Sequence, residues 1–221
     1  MTSLGYAGST VPLLVAGIGL LGLILSPVAE LLIAKLLPRF GGLPTTRARM
    51  TTAMITGVLC TAFALRFGAD PGLPAFILLA VLGVQLARID IALHLLPNPL
   101  VLSLLLGGLI CLLATVLAGS GWSDSIRAVA GATILFVIYL ILGIISPAGM
   151  GMGDVKFAAP IGLYLGYLGW SHLLYGGLLG FILNGVVTLV VVRRNRAQRA
   201  SEVPHGPSML AAAAGVALLL A

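Results

Sequence analysis

Apolar residues run through this chain in long stretches, broken by short clusters of Pro, Gly and charge rather than by alternating polar positions. A helix needs about 20 mainly apolar residues to cross a bilayer, whereas a lipid-facing strand alternates with a period of two. Eight runs fit the helical pattern: 11–36, 50–65, 73–95, 99–118, 127–145, 156–169, 171–192 and 208–221. The sixth is short, the seventh follows it almost directly after Trp170, and the eighth holds 14 residues, so the reading is eight spans with seven as the alternative. The predicted fold is all-α, a polytopic integral membrane protein of about eight transmembrane helices. No loop exceeds about 16 residues, so residues 1–221 read as a single membrane-embedded domain.

Composition narrows the class. Apolar residues make up 60% of the 221 and charged ones only 8%, against about 25% charged in soluble domains. So few charges cannot coat a water-facing surface, which excludes a soluble enzyme, a disordered tail and a fibrous repeat. Cys60 and Cys111 are too few for a disulfide scaffold or a cysteine-based zinc site. Orientation follows from the basic residues. With the first loop inside, Lys35, Arg39, Arg47, Arg49, Arg88, Lys156, Arg193, Arg194, Arg196 and Arg199 share the cytoplasmic face, leaving Arg66 and Arg127 outside. Ten against two predicts an outside N-terminus. The cluster Arg193–Arg199 reads as a topology signal that meets anionic membrane lipids rather than nucleic acid. No basic residue precedes the first apolar run, so that run is expected to stay as a helix.

Function is sought among the six acids, because an ionisable group within a span costs roughly 2.5–3.5 kcal/mol on insertion scales. Asp70 and Asp124 sit in predicted outside turns, and Glu202 in a polar stretch before the last span. Glu30, late in the first helix, reads as snorkelling inward toward Ala34 or Lys35. Asp90 and Asp154 remain. Asp90 lies one to two turns inside the third span, with His94 four residues on along the same face. Asn98 reads as the cap of the next helix and Pro99 as its first residue. Asp154 follows Pro147, Gly149, Gly151 and Gly153, which should not continue a helix, so it is expected on an open, wettable stretch just before a span that begins near Lys156.

Two spans separate the acids, so both end on the same, cytoplasmic side. Two carboxyls beside an opened backbone suit an acid–base pair: close together, they keep one proton between them. The ionised member takes a proton from water while the other donates to a peptide carbonyl. Lys156 is a candidate for holding a substrate carbonyl, His94 for tuning Asp90, and Gly151 and Gly153 for admitting a peptide backbone.

At these residues the chain resembles the type IV prepilin peptidase family, membrane aspartyl proteases of the GxGD group. The resemblance rests on Asp90 followed by Leu96-Pro97-Asn98, on Gly151-Met152-Gly153-Asp154-Val155-Lys156, and on the 64-residue separation of the acids. Leu36-Leu37-Pro38-Arg39 and Pro204-His205-Gly206-Pro207 are weaker echoes. It implies an aspartic endopeptidase that removes the basic leader of prepilin or pseudopilin precursors at the cytoplasmic face of the bacterial inner membrane. Asp90 and Asp154 would be the catalytic pair, with no metal and no organic cofactor. Many members carry a cysteine-containing insert after the first helix. Here residues 40–49 hold no Cys, so the chain resembles a short form and methylation of the product is not assigned. The rival reading from another class is a proton-coupled transporter with Asp90 and Asp154 as its relay. The sequence sets neither the precursor nor an oligomeric state.

Overall fold

The computed structural model describes residues 4–40, 42–146, 150–194 and 203–220. Pro147, Ala148 and Gly149 of the predicted helix break, together with Arg196, Arg199 and Glu202, lie outside the described residues. Among the described residues the protein is helical, without strands: α1 Leu4–Leu36, α2 Thr46–Phe67, α3 Leu73–Leu93, α4 Asn98–Leu117, α5 Trp122–Ile145, α6 Met152–Leu168, α7 Trp170–Arg194 and α8 Gly206–Leu219. A short 3-10 turn, Pro38–Phe40, follows α1. Each of the eight apolar runs is a helix. Six of them (α1 to α5 and α7) are long and apolar enough to cross a membrane, while α6 has 17 residues and α8 has 14. The two short helices are also enclosed ones. Ten residues of α6 are buried, among them Val155, Phe157, Ile161 and Tyr164, and nine of α8. A helix apolar all round and enclosed by neighbours belongs to a core.

The chain divides into two compact units, Met1–Gln85 and Leu86–Ala221, with the boundary inside α3. In the first unit α1 and α2 pack closely where Gly22 leaves no room for a side chain: a Cβ there would meet Cys60 Cβ at 2.9 Å. Phe67 stacks on Phe76 at 4.4 Å between ring centres, and Gln85 Nε2 donates to Ser26 Oγ. Glu30 corrects the sequence reading. It does not snorkel; it is 1% exposed and accepts from Arg49 Nε at 3.1 Å and from Thr52 Oγ1 at 2.5 Å. The first turns of α2 bring both donors against α1, a pairing across about 20 residues that no local pattern shows.

In the second unit α6 crosses α5 at Gly131, Gly162 and Gly166, where a Cβ on Gly131 would lie 2.5 Å from the Gly162 carbonyl oxygen. Small residues at such a crossing let two helix backbones approach. Arg127 of α5 closes the far end of α6, its Nε donating to the Gly166 carbonyl at 2.7 Å and its Nη2 to that of Tyr167 at 2.6 Å. The last carbonyls of a helix have no partners within it, and a guanidinium supplies them.

Candidate active site

Three helix ends in the second unit build the site: the close of α3 and the starts of α6 and α8. Asp90 sits in the last turn of α3, 5% exposed. That helix stops at Leu93 because His94 turns left-handed, φ 52°, and its N–H closes onto the Asp90 carbonyl at 2.8 Å. This is an αL cap. The sequence put His94 on the Asp90 face of a longer helix. Instead it caps the helix with its side chain exposed, while staying within electrostatic range of Asp90.

Leu96, in the linker that follows, is buried and fills the space left by two glycines. Its Cβ lies 3.2 Å from where a Cβ on Gly153 would stand, and its Cδ2 lies 3.5 Å from one on Gly206. Asn98 is not the cap of α4. Pro97 holds that position, and the exposed Asn98 accepts from Lys156 Nζ at 3.1 Å, tying the start of α4 to the start of α6.

α6 also begins earlier than its glycines predict. Gly151 is the extended N-cap, and Met152, Gly153 and Asp154 form the first turn. Asp154 is therefore the third residue of a helix rather than part of an open stretch. The turn closes on Gly151: the Asp154 N–H donates to the Gly151 carbonyl at 3.1 Å, and Asp154 Oδ2 folds back to lie 3.3 Å from where a Cβ on Gly151 would stand. An acid at this position suits the helix dipole.

α8 supplies the partner of the other acid. Its first N–H, on Gly206, donates to Asp90 Oδ2 at 3.0 Å, and a Cβ at position 206 would lie 2.7 Å from that oxygen. Asp90 thus accepts an N–H from the start of one helix, where donors are otherwise orphaned, and Asp154 stands in the first turn of another. Asp90 and Asp154, 64 residues apart, lie within electrostatic range of each other, and Asp154 also acts on Tyr139. Tyr139, buried in α5, has its hydroxyl 3.0 Å from His205 Nε2. Sequence reasoning missed Tyr139 and gave His205 and Gly206 only as part of a faint motif. The usable signal was a histidine and a glycine between two prolines at a helix start.

Comparison with known proteins gives the family. Residues 76–191, which contain Asp90, Asp154 and Tyr139, match the model of the type IV leader peptidase family. Curated relatives named prepilin leader peptidase/N-methyltransferase align with about three quarters of the chain. The protein from Aeromonas hydrophila is 32% identical over 167 residues (75% of this chain, 56% of its own). Those from Stutzerimonas stutzeri and Xanthomonas campestris are 34% and 30% identical, over 74% and 76% of this chain and 55% and 58% of theirs. The chain spans a little over half the length of the relatives it matches. No solved structure matches it. With the family model covering more than half of the sequence and the acids of the site inside the match, this chain is a member of the type IV leader peptidase family.

Proposed function

We propose that the chain is a prepilin leader peptidase of the aspartic type, with Asp90 and Asp154 as its catalytic pair. The observation that carries the reading is the gathering of these two acids at three helix ends inside one compact unit. Two carboxyls that feel each other's charge retain a proton between them, which equips one as base and the other as acid. A water between them loses a proton to the ionised carboxylate as its oxygen attacks the scissile carbonyl. The protonated carboxyl donates to the carbonyl oxygen. The tetrahedral intermediate then collapses, the leaving amine takes back a proton, and the pair is ready for the next cycle.

Asp90 Oδ2 accepts the Gly206 N–H, a bond that orients this carboxyl while leaving lone pairs on both oxygens for proton exchange. The substrate is a prepilin or pseudopilin precursor cut after its basic leader, and the pair faces the cytoplasm. The ten-to-two distribution of basic residues supports that orientation. The relatives' names support peptidase chemistry over a proton-coupled transporter. Methyl transfer, the second half of those names, is not assigned to this chain, whose residues 40–49 carry no cysteine. Lys156, bonded to Asn98, serves this site by fixing the start of α6 rather than by contacting substrate.

The test is co-expression with a prepilin in bacterial membranes, following leader loss on a gel. Asp90→Asn and Asp154→Asn should each abolish processing at unchanged protein level. Continued cleavage by both would remove the pair from the mechanism.

A further inference from the structure

The Gly206 N–H is aimed at Asp90, 116 residues away in sequence, by the peptide that joins it to His205, so whatever holds His205 sets the geometry of that contact. His205 is held on three sides. Its ring centre lies 5.6 Å from that of Tyr139 and 5.5 Å from that of Phe181, and those two rings stack on each other at 4.8 Å. Its Nε2 meets the Tyr139 hydroxyl, and its carbonyl accepts the N–H groups of Ser208 and Met209, each at 3.1 Å. Pro204 and Pro207 flank the pair His205–Gly206, restricting the backbone on both sides.

We propose that His205 is a positioning residue, its ring wedged against Tyr139 and Phe181 so that the Gly206 N–H stays on Asp90 Oδ2. The inference rests on reading Asp90 as catalytic. Two observations favour a wedge over a proton-transfer role. His205 is 7% exposed and, among the described residues, its Nδ1 has no hydrogen-bond partner, so there the ring makes one hydrogen bond where an imidazole can make two. Burial also pushes the imidazole down to about 4, which keeps it neutral at cellular pH. What the site uses is a flat, rigid ring, and phenylalanine supplies one.

The experiment measures cleavage of a precursor consisting of a basic leader joined to an apolar helix, by purified protein in detergent. Wild type is compared with His205→Ala, His205→Phe, Gly206→Ala, the double variant of His205→Ala with Gly206→Ala, and Asp90→Asn. Freed from its wedge, the N–H drifts from Asp90, and displacements of about 1 Å at a catalytic group lower rates by up to about 100-fold. His205→Ala should therefore lower kcat about 10- to 100-fold with KM within about twofold, and His205→Phe should restore kcat to within about threefold of wild type. The double variant should be no slower than Gly206→Ala, since both changes remove the same contact.

A folded His205→Ala protein with wild-type kcat, a loss carried by KM, a His205→Phe protein as slow as His205→Ala, or losses that multiply in the double variant would each overturn the inference. Should His205→Ala not accumulate, Phe181→Leu loosens the same clamp and is judged by the same split between kcat and KM. An active Asp90→Asn protein would overturn the catalytic pair as well. An inactive one beside a fully active His205→Ala protein overturns the wedge alone.

Discussion

Glu30 in the first unit and Asp90 in the second are both carboxylates enclosed by apolar helices, and they are satisfied in different ways. Glu30 accepts from the Arg49 guanidinium and the Thr52 hydroxyl, so its charge is matched and both its oxygens are occupied. Among the described residues Asp90 accepts one backbone N–H, at Oδ2, and has no cation bonded to it; exposed His94 and a second acid, Asp154, lie within electrostatic range. Burial alone therefore does not mark a working acid. A buried carboxylate neutralised by a cation holds helices together. One satisfied by a neutral donor and set against another acid keeps an exchangeable proton.

The widest separation between the two acids is expected in catalysis. Asp90→Asn and Asp154→Asn should slow leader cleavage at least about 100-fold, the scale of a lost general acid or base. Glu30→Gln should stay within about threefold of wild type in the same gel assay. Equal losses at all three positions would erase the distinction. Next in size is Gly153→Ala, whose new Cβ would lie 3.2 Å from Leu96 Cβ. Leu96 also lines Gly206, so cleavage should fall about tenfold with little change in protein level.

Stability should show the reverse order. Glu30→Gln leaves the Arg49 guanidinium without its anion and should lower stability by about 1–3 kcal/mol, the lower part of that range being expected because Arg49 is 35% exposed. A thermal melt in detergent that moved more for Asp90→Asn than for Glu30→Gln would contradict the contrast.

pH separates the units further. His205 is held near 4 in the folded protein against about 6.5 unfolded, so the unfolded chain binds the proton first. Stability from this group is complete above pH 6.5 and is lost as pH falls from there toward about 4. The melting temperature should drop by several degrees across that window, and His205→Phe should remove that part of the drop. The smallest effect belongs to Lys156→Met, which unties α4 from α6 at an exposed bond and should change cleavage only about two- to threefold.

The eight helices were legible because each apolar run is long and bounded by turn residues. Asp90 and Asp154 stood out as candidates too, because acids are rare in such runs. Their surroundings were less legible. The glycines before Asp154 argue against a helix by propensity, yet Gly151 takes the N-cap position and Asp154 falls in the first turn, where an acid suits the helix dipole. The end of α3 depended on one left-handed residue, His94, which a helical pattern does not disclose. Glu30 with Arg49, Asp90 with Gly206 and Tyr139 with His205 are pairings across 19, 116 and 66 residues. Periodicity along a chain reports which face a residue occupies, not what stands opposite it.

The length of α6 carries one more consequence. At about 1.5 Å per residue its 17 residues rise roughly 25 Å, less than a hydrocarbon slab of about 30 Å. Its far end is sealed from inside the protein by the Arg127 guanidinium and needs no solvent there. An end sealed in this way can lie within hydrocarbon, so the shortfall of α6 can be taken up on the Arg127 side. Under the proposed function that leaves the end bearing Asp154 to stand at the wetter edge, where a precursor would arrive without the whole helix having to shift.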